Sequence, residues 1–336
     1  MDLTDHRTAI GQAGVPPLEA LAREALASCH ADLLAARQTV LSSCDPVGIH
    51  GTRVALRRLR AAATLFGRAL GDELMLALRP DAKQLADACG TTRDLDVFLV
   101  GVLAEAQATF AARPDIVDKL RSFRAAALRL RRTRHDAARR VLTSEILAGF
   151  DARLTALLKA PAYSAAPPAL QSAVALGHAT PDEALVPAIP DAVDFARDIL
   201  RRRDRKLRKG LGRLDKLDGA GRHRLRLQVK KQRYATSFLA TLFDRKAAEA
   251  YIRAAAGLQD ALGLANDRVV AAKVVADVRA AARPKGRLDW VSGAMAGWLA
   301  VRAQMSDKDD RAVAAAAKRF IRARRFWRRR GNGDGK

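Results

Sequence analysis

The sequence predicts an all-α fold built from antiparallel helical bundles. Three observations carry this. Alanine, leucine and arginine, all good helix formers, dominate the 336 residues. Apolar residues recur at spacings of three and four, the period of a one-sided helix rather than of a strand. Runs of β-branched residues are short.

Taken in order, residues 1–17 read as a loose tail ending at Pro16-Pro17. Helical patterns follow over roughly 18–42, 47–70, 72–89, 93–112 and 114–158, the last broken near Thr143-Ser144. Residues 161–190 hold six of the twelve prolines and almost no charge, the composition of a linker. A second series runs over roughly 191–217, 221–243, 245–262, 266–282, 288–305 and 309–328. Residues 331–336 (Gly-Asn-Gly-Asp-Gly-Lys) read as a disordered tail. The expected organisation is therefore a first bundle over 18–160 and a second over 191–330, together one domain. Short connections make each bundle antiparallel, and the repeated plan suggests a pseudo-twofold relation between the halves.

Charge narrows the function. Lysine and arginine number 60 against 36 acids, a net charge of 60 − 36 = +24. Such an excess opposes compaction by self-repulsion and points to an anionic partner. Only 5% of residues are aromatic, too few for a surface that stacks exposed bases. The three cysteines, Cys29, Cys44 and Cys89, form no C-x-x-C pair and read as buried small hydrophobes in a reducing compartment. The polar, charged start (Asp2, Asp5, His6, Arg7) has no signal-peptide pattern, and the charge-free stretch from Ala160 to Pro181 is broken by prolines. A cytoplasmic protein without membrane insertion is expected.

One basic block occurs twice. His50, Arg53, Arg57, Arg58 and Arg60 recur, at a constant offset of 223 − 50 = 173, as His223, Arg226, Lys230, Lys231 and Arg233. The same offset carries Gly90 to Gly263 and Asp94 to Asp267. The charges persist while most neighbours differ. At about 100° per residue, His50, Arg53, Arg57 and Arg60 share an arc of roughly 80°. Ala55, Leu56, Leu59, Ala63, Phe66 and Leu70 lie opposite. The second block behaves alike, with Leu225, Val229, Leu239 and Phe243 away from the charges. The helix before it adds Arg202, Arg205, Lys206, Lys209 and Arg213. Lys83 and Arg93 are further candidates from the first copy, their second-copy positions being Ala256 and Asn266.

Solvated faces usually mix the two signs, so an unmixed face kept in both halves points to anion binding. Abundant arginine favours phosphate, because the guanidinium fork meets phosphate oxygens bidentately. The two histidines open their helices on the cationic face with no carboxylate or second histidine at i+3 or i+4, which argues against a metal site. Gly90 and Gly263 read as left-handed helix terminators. Asp94 and Asp267 read as N-caps of the next helix, or as carboxylates orienting an arginine. No phosphate-binding loop, nucleophile elbow or zinc-protease motif is present, nor an acidic cluster suited to Mg²⁺ beside the cations. The expectation is a site that holds phosphate without turning it over, with no metal or cofactor.

These motifs resemble the CHAD family, the conserved histidine α-helical domain. The resemblance rests on the stretch from Ile49 to Arg60, on Cys89–Val97 with its G-x-x-R-D, on His223–Tyr234, and on Leu258–Asp267. It spans about residues 18–330. It implies two helical bundles related by pseudo-twofold symmetry around a basic central cleft or pore. It also implies inorganic polyphosphate as ligand and, in bacteria, association with polyphosphate granules. His50, Arg53, Arg57, Arg58, Arg60, His223, Arg226, Lys230, Lys231 and Arg233 would line the site. Family members are often joined to a triphosphate-hydrolysing tunnel domain, and no strand-rich segment is present here to form one. Sequence-blind nucleic-acid binding is the rival expectation, drawn from net charge and from the basic residues between Arg319 and Arg330. A polyphosphate-processing enzyme and a scaffold joining granule to partner protein are further alternatives.

Overall fold

The computed structural model describes residues 17–160, 191–284, 286–304 and 307–328. Residues 1–16 of the expected tail, the expected linker 161–190 and the expected tail 331–336 lie outside the described residues. Everything regular among the described residues is helical, as the sequence predicts.

The first half runs α1 (Leu18–Ser42), α2 (Pro46–Leu70), α3 (Glu73–Ala88), α4 (Gly90–Val100), α5 (Val102–Thr109), α6 (Pro114–Val141) and α7 (Glu145–Lys159). The second runs α8 (Ala192–Leu211), α9 (Gly219–Leu239), α10 (Arg245–Ala261), α11 (Leu264–Ala281), α12 (Asp289–Gln304) and α13 (Asp307–Arg322). Short 3₁₀ turns follow α8 (Leu214–Lys216) and α9 (Ala240–Leu242). The helix expected over 93–112 is two helices, because Gly101 leaves helical geometry (φ −96°, ψ −85°) between Val100 and Val102.

Local chemistry sets the ends. The Asp45 carboxylate accepts from the Val47 amide at 2.8 Å and Pro46 occupies the first turn of α2, where a missing N–H costs nothing. Asp72, Asp191, Asp218 and Asp244 cap α3, α8, α9 and α10 in the same way. Gly71, at φ 66°, ends α2 in the left-handed region.

α1 and α2 lie against each other almost backbone to backbone. A Cβ at Gly48 would stand 2.8 Å from the Val40 amide nitrogen, and one at Gly51 would stand 2.9 Å from the Ala36 Cβ. Small residues at this crossing seat α2 deeply, so the residue next to His50 in the repeated block serves packing.

Two apolar cores result, and each draws on both halves. One gathers α1, α2, α3, the end of α6, α7, α8, α9, α10 and α13, with Phe326 and Trp327 beyond α13. The other gathers α4, α5, α6, α11 and α12. The rings of Phe66 on α2 and Phe238 on α9 meet at 6.2 Å between centroids. That contact sets the two basic helices side by side, with the apolar positions expected from the period turned into the core.

Candidate functional site

On α2 the core residues Ala55, Leu56, Leu59, Ala63 and Phe66 are fully buried, so the opposite arc carries the charges. Arg53 is half-buried and donates from Nη1 to the Ala86 carbonyl at 2.7 Å. The space it uses is left by Gly90, where a Cβ would stand 2.8 Å from that nitrogen. Arg57 donates from Nε to the Arg53 carbonyl one turn back, at 3.1 Å. Burial, then Arg57, lowers the Arg53 pKa, while Asp94 raises it. His50 is exposed. Burial of part of its ring, then Arg93, Arg57 and Arg53, lowers its pKa.

α9 brings its charges to the same place. Burial, then Arg226, Arg57, Arg233 and Arg53, lowers the Lys230 pKa to about 8. Two of those arginines come from its own helix and two from α2. The Nε of Arg226 is buried with no hydrogen-bond partner. Arg233 lies 5.5 Å from the Tyr234 ring centroid. His50, Arg53, Arg57 and Arg93 of the first half and Arg226, Lys230 and Arg233 of the second thus form one crowded cationic group.

The other sequence-predicted residues either pair with an acid or make no side-chain bond among the described residues. Arg58 pairs with Asp32 of α1, a partner distant in sequence. Lys83 is exposed and pairs with Asp87 at 2.6 Å, and Arg202 pairs with Asp198 at 2.9 Å. Lys206 and Lys209 are exposed on α8. His223 is exposed on the first turn of α9, and neither it, Arg60 nor Lys231 makes a side-chain hydrogen bond or ion pair among the described residues. The Lys231 carbonyl accepts from Arg203 at 2.9 Å, tying α8 to α9.

Three expectations about neighbouring residues are corrected. Gly90 and Gly263 are not left-handed terminators: the positive-φ glycines among the described residues are Gly71 and Gly286. Gly90 opens α4, and Gly263 (φ −74°) precedes α11 with its missing Cβ 3.5 Å from Arg226 Nη2. Both glycines therefore stand against the repeat-related guanidinium. Asp94 and Asp267 are not N-caps but lie inside α4 and α11. Burial raises the Asp94 pKa, Arg53, Lys273 and Arg134 oppose that, and Asp267 adds to it, which places the two repeat-related carboxylates in each other's field. Cys29 and Cys89 are buried thiols pushed up to about 11, but Cys44 is exposed between α1 and α2.

Sequence reasoning missed the supports beneath the site. Arg131 of α6 bonds Asp96 at 2.5 Å, both nearly inaccessible, and donates to the Cys44 carbonyl at 2.8 Å just ahead of α2. His135 is fully buried, with Nδ1 3.7 Å from the Cys44 sulfur, and burial lowers its pKa. Arg134 bridges to Asp277 of α11 at 2.9 Å. Arg131 and Arg134 fall in an arginine-rich run whose members look alike in sequence, so no local signal separates a buried one.

Among the described residues no group of three or more His, Cys, Asp or Glu is placed to hold a metal ion, and no helix is long and apolar enough to cross a membrane.

The architecture is similar to known structures. It matches the crystal structure of the CHAD domain from the plant Ricinus communis with 25% sequence identity and a TM-score of 0.69, over 92% of this chain and 94% of that one. PptA from Streptomyces chartreusis shares the fold at 16% identity and a TM-score of 0.57, over 92% and 99% of the two chains. No curated protein matches the chain. The CHAD domain profile matches residues 24–276, a span that contains both copies of the basic block and both glycine–aspartate segments. By that match the chain belongs to the CHAD family.

Proposed function

We propose that the cationic group shared by α2 and α9 binds long-chain inorganic polyphosphate and holds it without catalysis. The supporting observation is the crowding at Lys230, whose ammonium stands among Arg226, Arg233, Arg57 and Arg53 from two helices. Fixed like charges in partial burial oppose folding. A polyanion relieves that opposition, supplies acceptors for guanidinium donors such as the unpartnered Arg226 Nε, and gains from released counterions. A linear chain of phosphates repeats its charge along its length, so one ligand can engage both helices together.

In this reading the halves are related by a pseudo-twofold axis near Asp94 and Asp267, and the two basic helices line one cleft. The nearby carboxylates Asp94 and Asp267 orient cations rather than hold metal, so the site positions phosphate and does not cleave it. Association with polyphosphate granules in the cytoplasm is part of the same proposal.

Calorimetric titration of the full chain with long-chain polyphosphate at physiological salt tests it. Saturable binding is expected, with Arg57→Glu or Lys230→Glu weakening it by about ten- to a hundredfold in a protein of unchanged helicity. Absence of binding would overturn the proposal. Equal competition by duplex DNA would favour the sequence-blind nucleic-acid reading, for which exposed Arg319, Arg322 and Arg324 are the supporting residues.

A further inference from the structure

A second concentration of arginine lies along α8 and shares no residue with the α2–α9 group. There a cleft of about 680 Å³ is lined by Arg197, Arg201, Arg205, Arg208, Arg325 and Arg328, with Trp327 and three aspartates completing the wall. Its formal charge is 6 − 3 = +3.

The cations divide into two kinds. Arg208 and Arg325 are structural: both donate to the buried Asp204 carboxylate, at 2.8 Å and 2.9 Å, and that carboxylate also accepts from the Tyr251 hydroxyl at 2.9 Å. Arg208 also bonds the Ile321 carbonyl in the last turn of α13, so together with Arg325 it fixes α13 and the segment after it against α8. Asp194 pairs with Arg197 at 3.2 Å, and Asp198 pairs with Arg202, which is outside the lining. Arg201, Arg205 and Arg328 remain. All three are exposed, and none has a carboxylate partner among the described residues. The Nε of Arg197 is buried with no acceptor.

Arg201 and Arg205 stand one helical turn apart, so they present two guanidinium forks to the same volume. The volume suits a small ligand. Asp194 and Asp198 border it on α8 and oppose an extended anion laid along that helix. Trp327 is only 3% exposed, so a nucleobase would find no ring face to stack on. What remains is a compact anion with several charges and many acceptor oxygens.

We infer that the α8 cleft is a second anion site, separate from the α2–α9 group, and that its ligand is a short oligophosphate of tripolyphosphate size. The inference does not depend on the first site binding polyphosphate, because the two sites share no residue.

Equilibrium titration with inorganic tripolyphosphate at physiological salt separates them. The full chain carrying Arg57→Glu and Lys230→Glu should still take up about one equivalent. Adding Arg201→Ala and Arg205→Ala should weaken that residual binding by about ten- to a hundredfold. The double lysine variant, Arg201→Lys with Arg205→Lys, keeps the charge but loses the forks and should fall between, with an unchanged thermal midpoint as the check on folding. The inference is overturned if the Arg57→Glu, Lys230→Glu protein takes up no tripolyphosphate, or if the alanine substitutions leave the residual binding intact. Citrate binding as tightly would overturn the phosphate assignment, and tighter binding of ATP would overturn the exclusion of a base.

Discussion

α2 and α9 carry the same pattern of charge and hold it differently. On α2, Arg53 is bonded to the Ala86 carbonyl, Arg57 to the Arg53 carbonyl and Arg58 to Asp32. On α9 the corresponding Arg226, Lys230 and Lys231 side chains make no such bonds among the described residues. Arg226 Nε is buried and unpartnered, and Lys230 is crowded enough to bring its pKa to about 8. One helix is preorganised by the protein; the other keeps donors whose needs the protein does not meet. An unmet buried donor costs about 1–3 kcal/mol. The contrast thus shows where a bound anion would gain most.

The largest expected effect concerns the seat of α2. Arg131 and Asp96 form a buried pair that also grips the Cys44 carbonyl just ahead of α2. Arg131→Met leaves the Asp96 carboxylate buried without its cation and should cost about 3–5 kcal/mol in urea denaturation. A loss below about 1 kcal/mol would show that α2 is held no more firmly than α9.

Next come Arg53→Ala and Arg226→Ala. Both should weaken polyphosphate binding by about ten- to a hundredfold. Only Arg53→Ala should also lose about 1 kcal/mol of stability, that of the bond to Ala86. Equal stability losses would dissolve the contrast between the helices.

The paired glycines sharpen it further. A Cβ at Gly263 would stand 2.9 Å from the Asp260 carbonyl oxygen, which is backbone and cannot swing away; at Gly90 the obstacle is the end of the Arg53 side chain. Gly263→Ala should therefore cost about 1–3 kcal/mol. Gly90→Ala should cost less in stability and show its effect in weakened anion binding. Thermal unfolding and titration together distinguish the two.

The smallest effect is the pH dependence. The folded-state pKa of Lys230 is about 8 and its ordinary value 10.5. Below pH 8 both folded and unfolded chains carry this proton, and the crowding acts in full. Between 8 and 10.5 the folded chain releases it first, so stability of the free protein rises with pH in that window. Polyphosphate affinity runs the other way: level below pH 8, then falling by at most about tenfold per pH unit as Lys230 becomes neutral. Lys230→Arg, which installs the residue that α2 carries at this position, should abolish the fall. A fall that persists in that variant would exclude Lys230 as its source.

Much of this was legible in the sequence. The burial of Leu56, Leu59, Phe66, Leu225 and Val229 follows from a period of three and four. The doubled block named Lys230 and the four arginines that crowd around it. Gly101 was hidden inside an otherwise helical pattern, so one expected helix became two. Gly90 and Asp94, a glycine and an aspartate four residues apart, match the usual helix-end chemistry in sequence; their actual roles depend on where the Arg53 side chain comes to rest. Arg58 has no acid near it in the chain and so belongs to the cationic face by sequence, while its partner Asp32 comes from α1.

By itself the sequence determined the helical class, the buried face of each basic helix and the repeated set of charges, because these depend on residues within a turn or two of one another. Tertiary structure alone decided that the two cationic faces meet. That depends on Phe66 packing against Phe238 and on glycines that let helices approach, contacts between segments far apart in the chain. It also decided which charges stay available, since an arginine's partner is chosen by the helices packed beside it. For the same reason the arginine cleft along α8 became visible only once the segment after α13 had folded back against it.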